Sequence, residues 1–172
     1  MTDPSVPSAP VPWRASVVLD FARSELFDRT FEEGMELVEE TAAYLDGSGR
    51  QDSKLLPRGA ALAYAAESMR RTTRLKQEAS WLLDQRAVRE GEMKAGDACD
   101  ARYRLGAQEV SRAAPAEGAG ELPNGLQTLL ERSERLYERV VHLDRRMYVE
   151  QGDEAAPNPV LSQFGKLLAA FG

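Results

Sequence analysis

The chain holds one cysteine and one histidine in 172 residues. Cys99 alone can form neither an intramolecular disulfide nor a cysteine-based zinc site. His142 has Arg139 three positions before it, so the Glu-x-x-His pairs of a carboxylate-bridged di-metal site are missing. There is no glycine-rich loop between a strand and a helix to cradle a phosphate; Gly47-Ser48-Gly49 reads instead as a turn that ends a helix. These absences predict no catalytic, metal-binding or cofactor-binding residues, and hence no enzyme. Basic charge is also short, 22 Lys and Arg against 28 Asp and Glu for a net −6, which argues against a general nucleic-acid binder. No apolar run approaches the ~18 residues of a membrane span. The first residues lack a basic stretch followed by an apolar one, so no signal peptide is expected, and a cytoplasmic protein is the default. Strand patterns are scarce, which leaves an all-α protein.

What is present is helical periodicity. From Glu25 to Asp46 the apolar positions Phe27, Phe31, Met35, Val38, Ala42 and Leu45 recur at three and four, the mark of an amphipathic helix. Ser24 can cap it. The other face is acidic, with Glu25, Asp28, Glu32, Glu33, Glu36, Glu39, Glu40 and Asp46 against Arg29 alone. The stretch from Leu55 to Glu90 reads as one helix of ~50 Å at 1.5 Å per residue. Pro57 suits its first turn and Gly91 its C-cap. Two seven-residue ladders run through it. One is mostly large and apolar (Leu55, Leu62, Met69, Lys76, Leu83), and the other is small (Gly59, Ala66, Thr73, Ser80, Ala87). Together they predict a packing seam whose small side lets another helix come close. The last long helix, from Pro123 to Gly152, carries Leu126, Leu129, Ser133, Leu136, Val140, Leu143 and Met147, with Leu130, Tyr137, Val141 and Tyr148 as a second stripe. Trp81 is expected in the core, and Trp13 as an anchor where an N-terminal arm meets it.

The architecture expected is three long helices in an antiparallel bundle over residues 15–151. A proline-rich arm over 1–14 and a flexible tail over 152–172 flank it, and a mobile connection precedes the third helix. The doubled stripe on the last helix predicts a homodimer. Two segments are candidate protein-binding sites. Arg70, Arg71 and Arg74 cluster on an acidic protein and suit an acidic partner surface; their other reading is a helix face of Glu67–Arg71 and Arg74–Glu78 pairs. In the tail, Val160, Leu161, Phe164, Leu167, Leu168 and Phe171 share one face of a short helix beyond Pro159. That helix is marginal alone and suited to a groove, either on a partner or on the bundle itself.

Residues 26–93 resemble one known family. The carriers are Phe31 to Lys54, Leu62 to Arg70, Thr72 to Leu75, Ala79 to Leu83, Gln85 to Val88 and Gly91 to Met93, without gaps. They are similar to the family of the regulator of CtrA degradation, RcdA. The last helix and Asn158-Pro159-Val160 are compatible with it. The resemblance implies a dimeric three-helix bundle without enzymatic activity. It implies an adaptor in regulated proteolysis that helps deliver cell-cycle regulators to the ClpXP protease, with accessory regulators and substrate proteins as partners. The competing reading is a helical nucleic-acid-binding or other regulatory protein acting through the Arg70–Lys76 cluster.

Overall fold

The computed structural model describes residues 12–105 and 118–148, and among these it is all-α. The long helices expected from the sequence are there, but the α-helices number five: α1 (Pro12–Ala22), α2 (Glu25–Asp46), α3 (Ser48–Lys54), α4 (Arg58–Glu90) and α5 (Asn124–Tyr148). Among the described residues three short 3-10 turns lie between α4 and α5, at Asp97–Cys99, Ala101–Tyr103 and Ala119–Glu121. α1 takes in Pro12, Trp13 and Arg14, assigned above to the arm, and proline is tolerated in its first turn. Residues 152–172 lie outside the described residues.

The helix ends follow from the caps. The Ser24 hydroxyl accepts from the Phe27 N–H at 3.1 Å, satisfying one open donor of the first turn of α2. Gly91 takes φ 78°, a left-handed conformation that glycine adopts without a Cβ penalty, and its N–H bonds back to Val88. Gly47 closes α2, but Ser48 at once begins α3, so Gly47 joins two helices and Gly49 lies within the second.

α2 and α4 form an antiparallel hairpin. Arg89 pairs with Asp28 at one end, and Gly34 faces Leu82 further along. A Cβ at Gly34 would come within 2.5 Å of Leu82 Cδ1, so the close approach of the hairpin sits here. α5 breaks the expected antiparallel pattern. Arg71 meets Glu134, Trp81 meets Asp144 and Gln85 meets Tyr148, so the numbers rise together and α5 runs parallel to α4. It is antiparallel to α2, where Arg132 reaches Glu40 and Arg139 reaches Glu33. The connection between α4 and α5 therefore returns the chain along the bundle before α5 begins. Its two described ends are docked: Arg104 holds Asp144 at 2.8 Å, and Gly118 packs on Gly59 and Ala63.

The main core gathers Val18, Ala22, Phe27, Leu37, Leu75, Trp81, Leu82, Leu136 and Val140. A smaller cluster of Ala63, Tyr64, Leu122 and Leu126 closes the other end. Both stripes of α5 contribute to these interiors. Leu136 and Val140 are fully buried and Tyr137 and Tyr148 nearly so, so the doubled stripe is used within one chain. The motive it gave for a homodimer is removed. Trp81 is in the core as expected, and Trp13 is 36% exposed.

Candidate protein-binding face

α4 has two useful stripes, and the structure buries the one that composition would leave out. The inward stripe is Glu67, Arg71, Arg74, Glu78, Trp81 and Gln85, spaced four, three, four, three and four. Most of it is polar, yet Glu67, Arg74, Glu78 and Gln85 are all buried. It faces α5 through a succession of paired rungs. Arg71 and Arg74 donate to Glu134, and Arg74 also lies 4.3 Å over the Tyr137 ring. The Trp81 indole donates to Asp144 at 3.0 Å, and Gln85 donates to the Tyr148 hydroxyl at 3.2 Å. Asp144 is a junction: Arg104 and the Leu105 N–H donate to it as well, which fixes the start of the crossover to α5. Burial opposes ionisation of Glu134, but the bonds from Arg71 and Arg74 outweigh it and hold its carboxyl below the usual range.

This placement corrects the arginine cluster as a surface patch. Arg70 donates to the buried Glu67, and the Arg71 and Arg74 side chains are only 16% and 3% exposed. The cluster belongs to the α4–α5 seam. The acidic face of α2 pairs chiefly with α5. Glu33, Glu36 and Glu40 face Arg139 and Arg132 of α5, while α4 offers α2 the Arg89–Asp28 pair near its end.

The outward stripe is the apolar ladder, the reverse of the packing seam predicted for it. Leu62, Met69 and Leu83 are 65%, 74% and 50% exposed, while Leu55, expected within the long helix, instead caps the end of α3 and is 85% exposed. The small ladder beside it is also turned out: Gly59, Ala66, Thr73 and Ser80 are exposed, and a Cβ at Gly59 would meet nothing within 4 Å. The physical reason is competition. α1, α2 and α5 pack against α4, the paired polar rungs and Trp81 take the side facing α5, and among the described residues nothing covers the remaining side. Along it runs a groove between α2 and α4 of about 210 Å³, lined by Val38, Ala42, Leu45, Thr72, Lys76 and Ala79. Lys76 stands in both groove and ladder, so the two are one continuous surface. Its large side chains, spaced by small ones, suit a helix laid against it. The sequence signal that would have identified the inward stripe was its own three-four spacing, masked by its polar composition.

The other candidate residues, Val160, Leu161, Phe164, Leu167, Leu168 and Phe171, lie outside the described residues. His142 is exposed on α5. Cys99 is half-buried, and burial pushes its thiol pKa up, away from the thiolate a nucleophile needs. No described helix is long and apolar enough to cross a membrane.

Comparison with known proteins agrees with the sequence resemblance. No curated protein matches the chain. Residues 18–171 match the family described as "Protein of unknown function (DUF1465)". Among solved structures, RcdA from Caulobacter crescentus CB15 is 69% identical, with 77% of this chain and 98% of that chain covered and a TM-score of 0.63. The chain belongs to the RcdA family.

Proposed function

We propose that this protein is a non-enzymatic, cytoplasmic adaptor in regulated proteolysis that helps deliver cell-cycle regulators to the ClpXP protease. Membership of the RcdA family supports the pathway. The observation that carries the mode of action is the open apolar face of α4, with Leu62, Met69 and Leu83 beside the α2–α4 groove. An adaptor works by holding other proteins, and this face offers continuous apolar area to hold them. The same face is the surface through which we place a homodimer, α4 against α4 of a second copy, with the small ladder allowing close approach of the two helices. Leu62→Glu with Met69→Glu should convert a dimer to a monomer in sedimentation at micromolar concentration while leaving the helical circular dichroism unchanged. A wild-type chain that sediments as a monomer would remove the dimer from the proposal.

The segment 160–171 is assigned the second contact, a tethered apolar peptide for cargo or protease machinery. Tethering raises its effective concentration at the receiving site. The deciding experiment is reconstitution: purified ClpXP, its accessory regulators and a fluorescent cell-cycle substrate, with and without the adaptor. Faster substrate loss with wild type, and loss of that stimulation on truncation after Gly152, is the expected result. No acceleration at any adaptor concentration would sink the reading.

A further inference from the structure

One rung of the α4–α5 seam is built unlike the rest. Glu78 is 1% exposed, and neither of its carboxyl oxygens has a hydrogen-bond partner among the described residues. One helical turn before it, Arg74 donates to Glu134, and one turn beyond it Trp81 donates to Asp144. The charged groups acting on Glu78 come from two helices: Arg74 and Arg71 of α4, which attract its ionised form, and Glu134 of α5, which repels it. The buried residues of α2 are Phe27, Thr30, Gly34, Leu37 and Thr41, and those of α1 are Val18 and Ala22, so neither supplies a buried counter-ion. An ionised carboxylate taken out of water without hydrogen bonds is strongly disfavoured, whereas the neutral acid is tolerated. Both arginines are already engaged by Glu134, and a second carboxylate in the same layer sets two negative charges against each other.

We propose that Glu78 is a proton-binding site that governs how tightly α5 is held to α4: with the proton bound the seam is closed, and with the proton released the seam loosens. This goes beyond the adaptor reading and does not rest on it. Burial pushes the Glu78 carboxyl up to about 8, against the pull of the arginines. The direction of the pH effect follows. The folded chain binds this proton from the ordinary glutamate range up to about 8, while the unfolded chain has already released it. Stability from this site therefore falls as pH rises through that window and is level above it. At a difference of one bound proton, the folding equilibrium constant drops about tenfold per pH unit within the window.

The test uses the full-length chain. Urea melts of wild type and Glu78→Gln are compared from pH 5 to pH 9 at fixed ionic strength, and the Glu78 carboxyl carbon of the wild type is titrated by NMR. The expected result is a wild-type midpoint that falls toward pH 8, a Gln variant whose midpoint stays level over the same range, and a Glu78 signal that titrates well above the ordinary glutamate range, toward about 8. Parallel pH profiles for the two proteins would overturn the proposal. So would a Glu78 signal that titrates with ordinary carboxylates, a measurement that stands even if the variant does not fold.

Discussion

The inward and outward faces of α4 are the instructive pair. The stripe facing α5 carries Glu67, Arg71, Arg74, Glu78 and Gln85 around Trp81, and it is turned inward beside the buried apolar residues Leu75, Leu82 and Val88. The outward face carries Leu62, Met69 and Leu83, and it is exposed. Burial is thus assigned by what each residue meets across the gap. Arg71 and Arg74 meet a glutamate, Trp81 an aspartate and Gln85 a tyrosine, so these polar groups enter the interior with partners. Among the described residues no second helix covers the leucines of the outward face, and their apolar area stays exposed.

Substitutions can break or sharpen this contrast. The largest effect is expected at Trp81→Ala, which empties the core and leaves Asp144 without the indole donor. It should cost ~3–5 kcal/mol in a urea melt. Glu134→Gln comes next. It removes the charge shared by Arg71 and Arg74 and should cost ~1–2 kcal/mol, kept low because the Glu134 side chain is 41% exposed. Its loss should also flatten the acid limb of the stability profile. A carboxyl held below its ordinary value contributes above that value and is lost as pH falls through it. On the outward face, Leu62→Ala and Ala66→Leu should each change monomer stability by less than ~0.5 kcal/mol when melted at concentrations too low for dimerisation. A cost of several kcal/mol for either would mean that the face is covered within one chain. The smallest effect belongs to Arg29→Ala, which breaks the solvent-facing pair with Glu25 and should be within ~0.5 kcal/mol of wild type.

Local signals in the sequence carried the helices well. Ser24 and the spacing from Phe27 onward set α2 from Glu25 to Asp46 as expected, and Gly91 ends the long helix with the left-handed cap assigned to it. The same reading missed which way α4 faces, because an apolar heptad is ordinarily taken as the buried one. The polar heptad of Glu67 to Gln85 finds partners in α5, 63 positions later in the chain, and Trp81 packs on Phe21 of α1 as well. It missed the parallel α5 for a related reason. A stretch rich in alanine, glycine and proline reads as a loose link, whereas Arg104 on Asp144 and Gly118 on Gly59 place the described ends of the connection at different levels of the bundle. The candidate site was legible as a set of residues and misread as to face: the outward ladder was named, but as core.

The uniform spacing of the α4–α5 rungs has a kinetic consequence. Arg71 with Glu134, Trp81 with Asp144 and Gln85 with Tyr148 are each separated by 63 positions. Contacts at that separation form only after a large loop has closed, while the α2–α4 hairpin closes across a short one. The hairpin is therefore the early unit of folding, and α5 is the late one. In hydrogen exchange the amides of α5 should open at lower free energy than those of Leu75 to Val88, so α5 should be the first long helix to part from the bundle when an unfoldase pulls from the C-terminus.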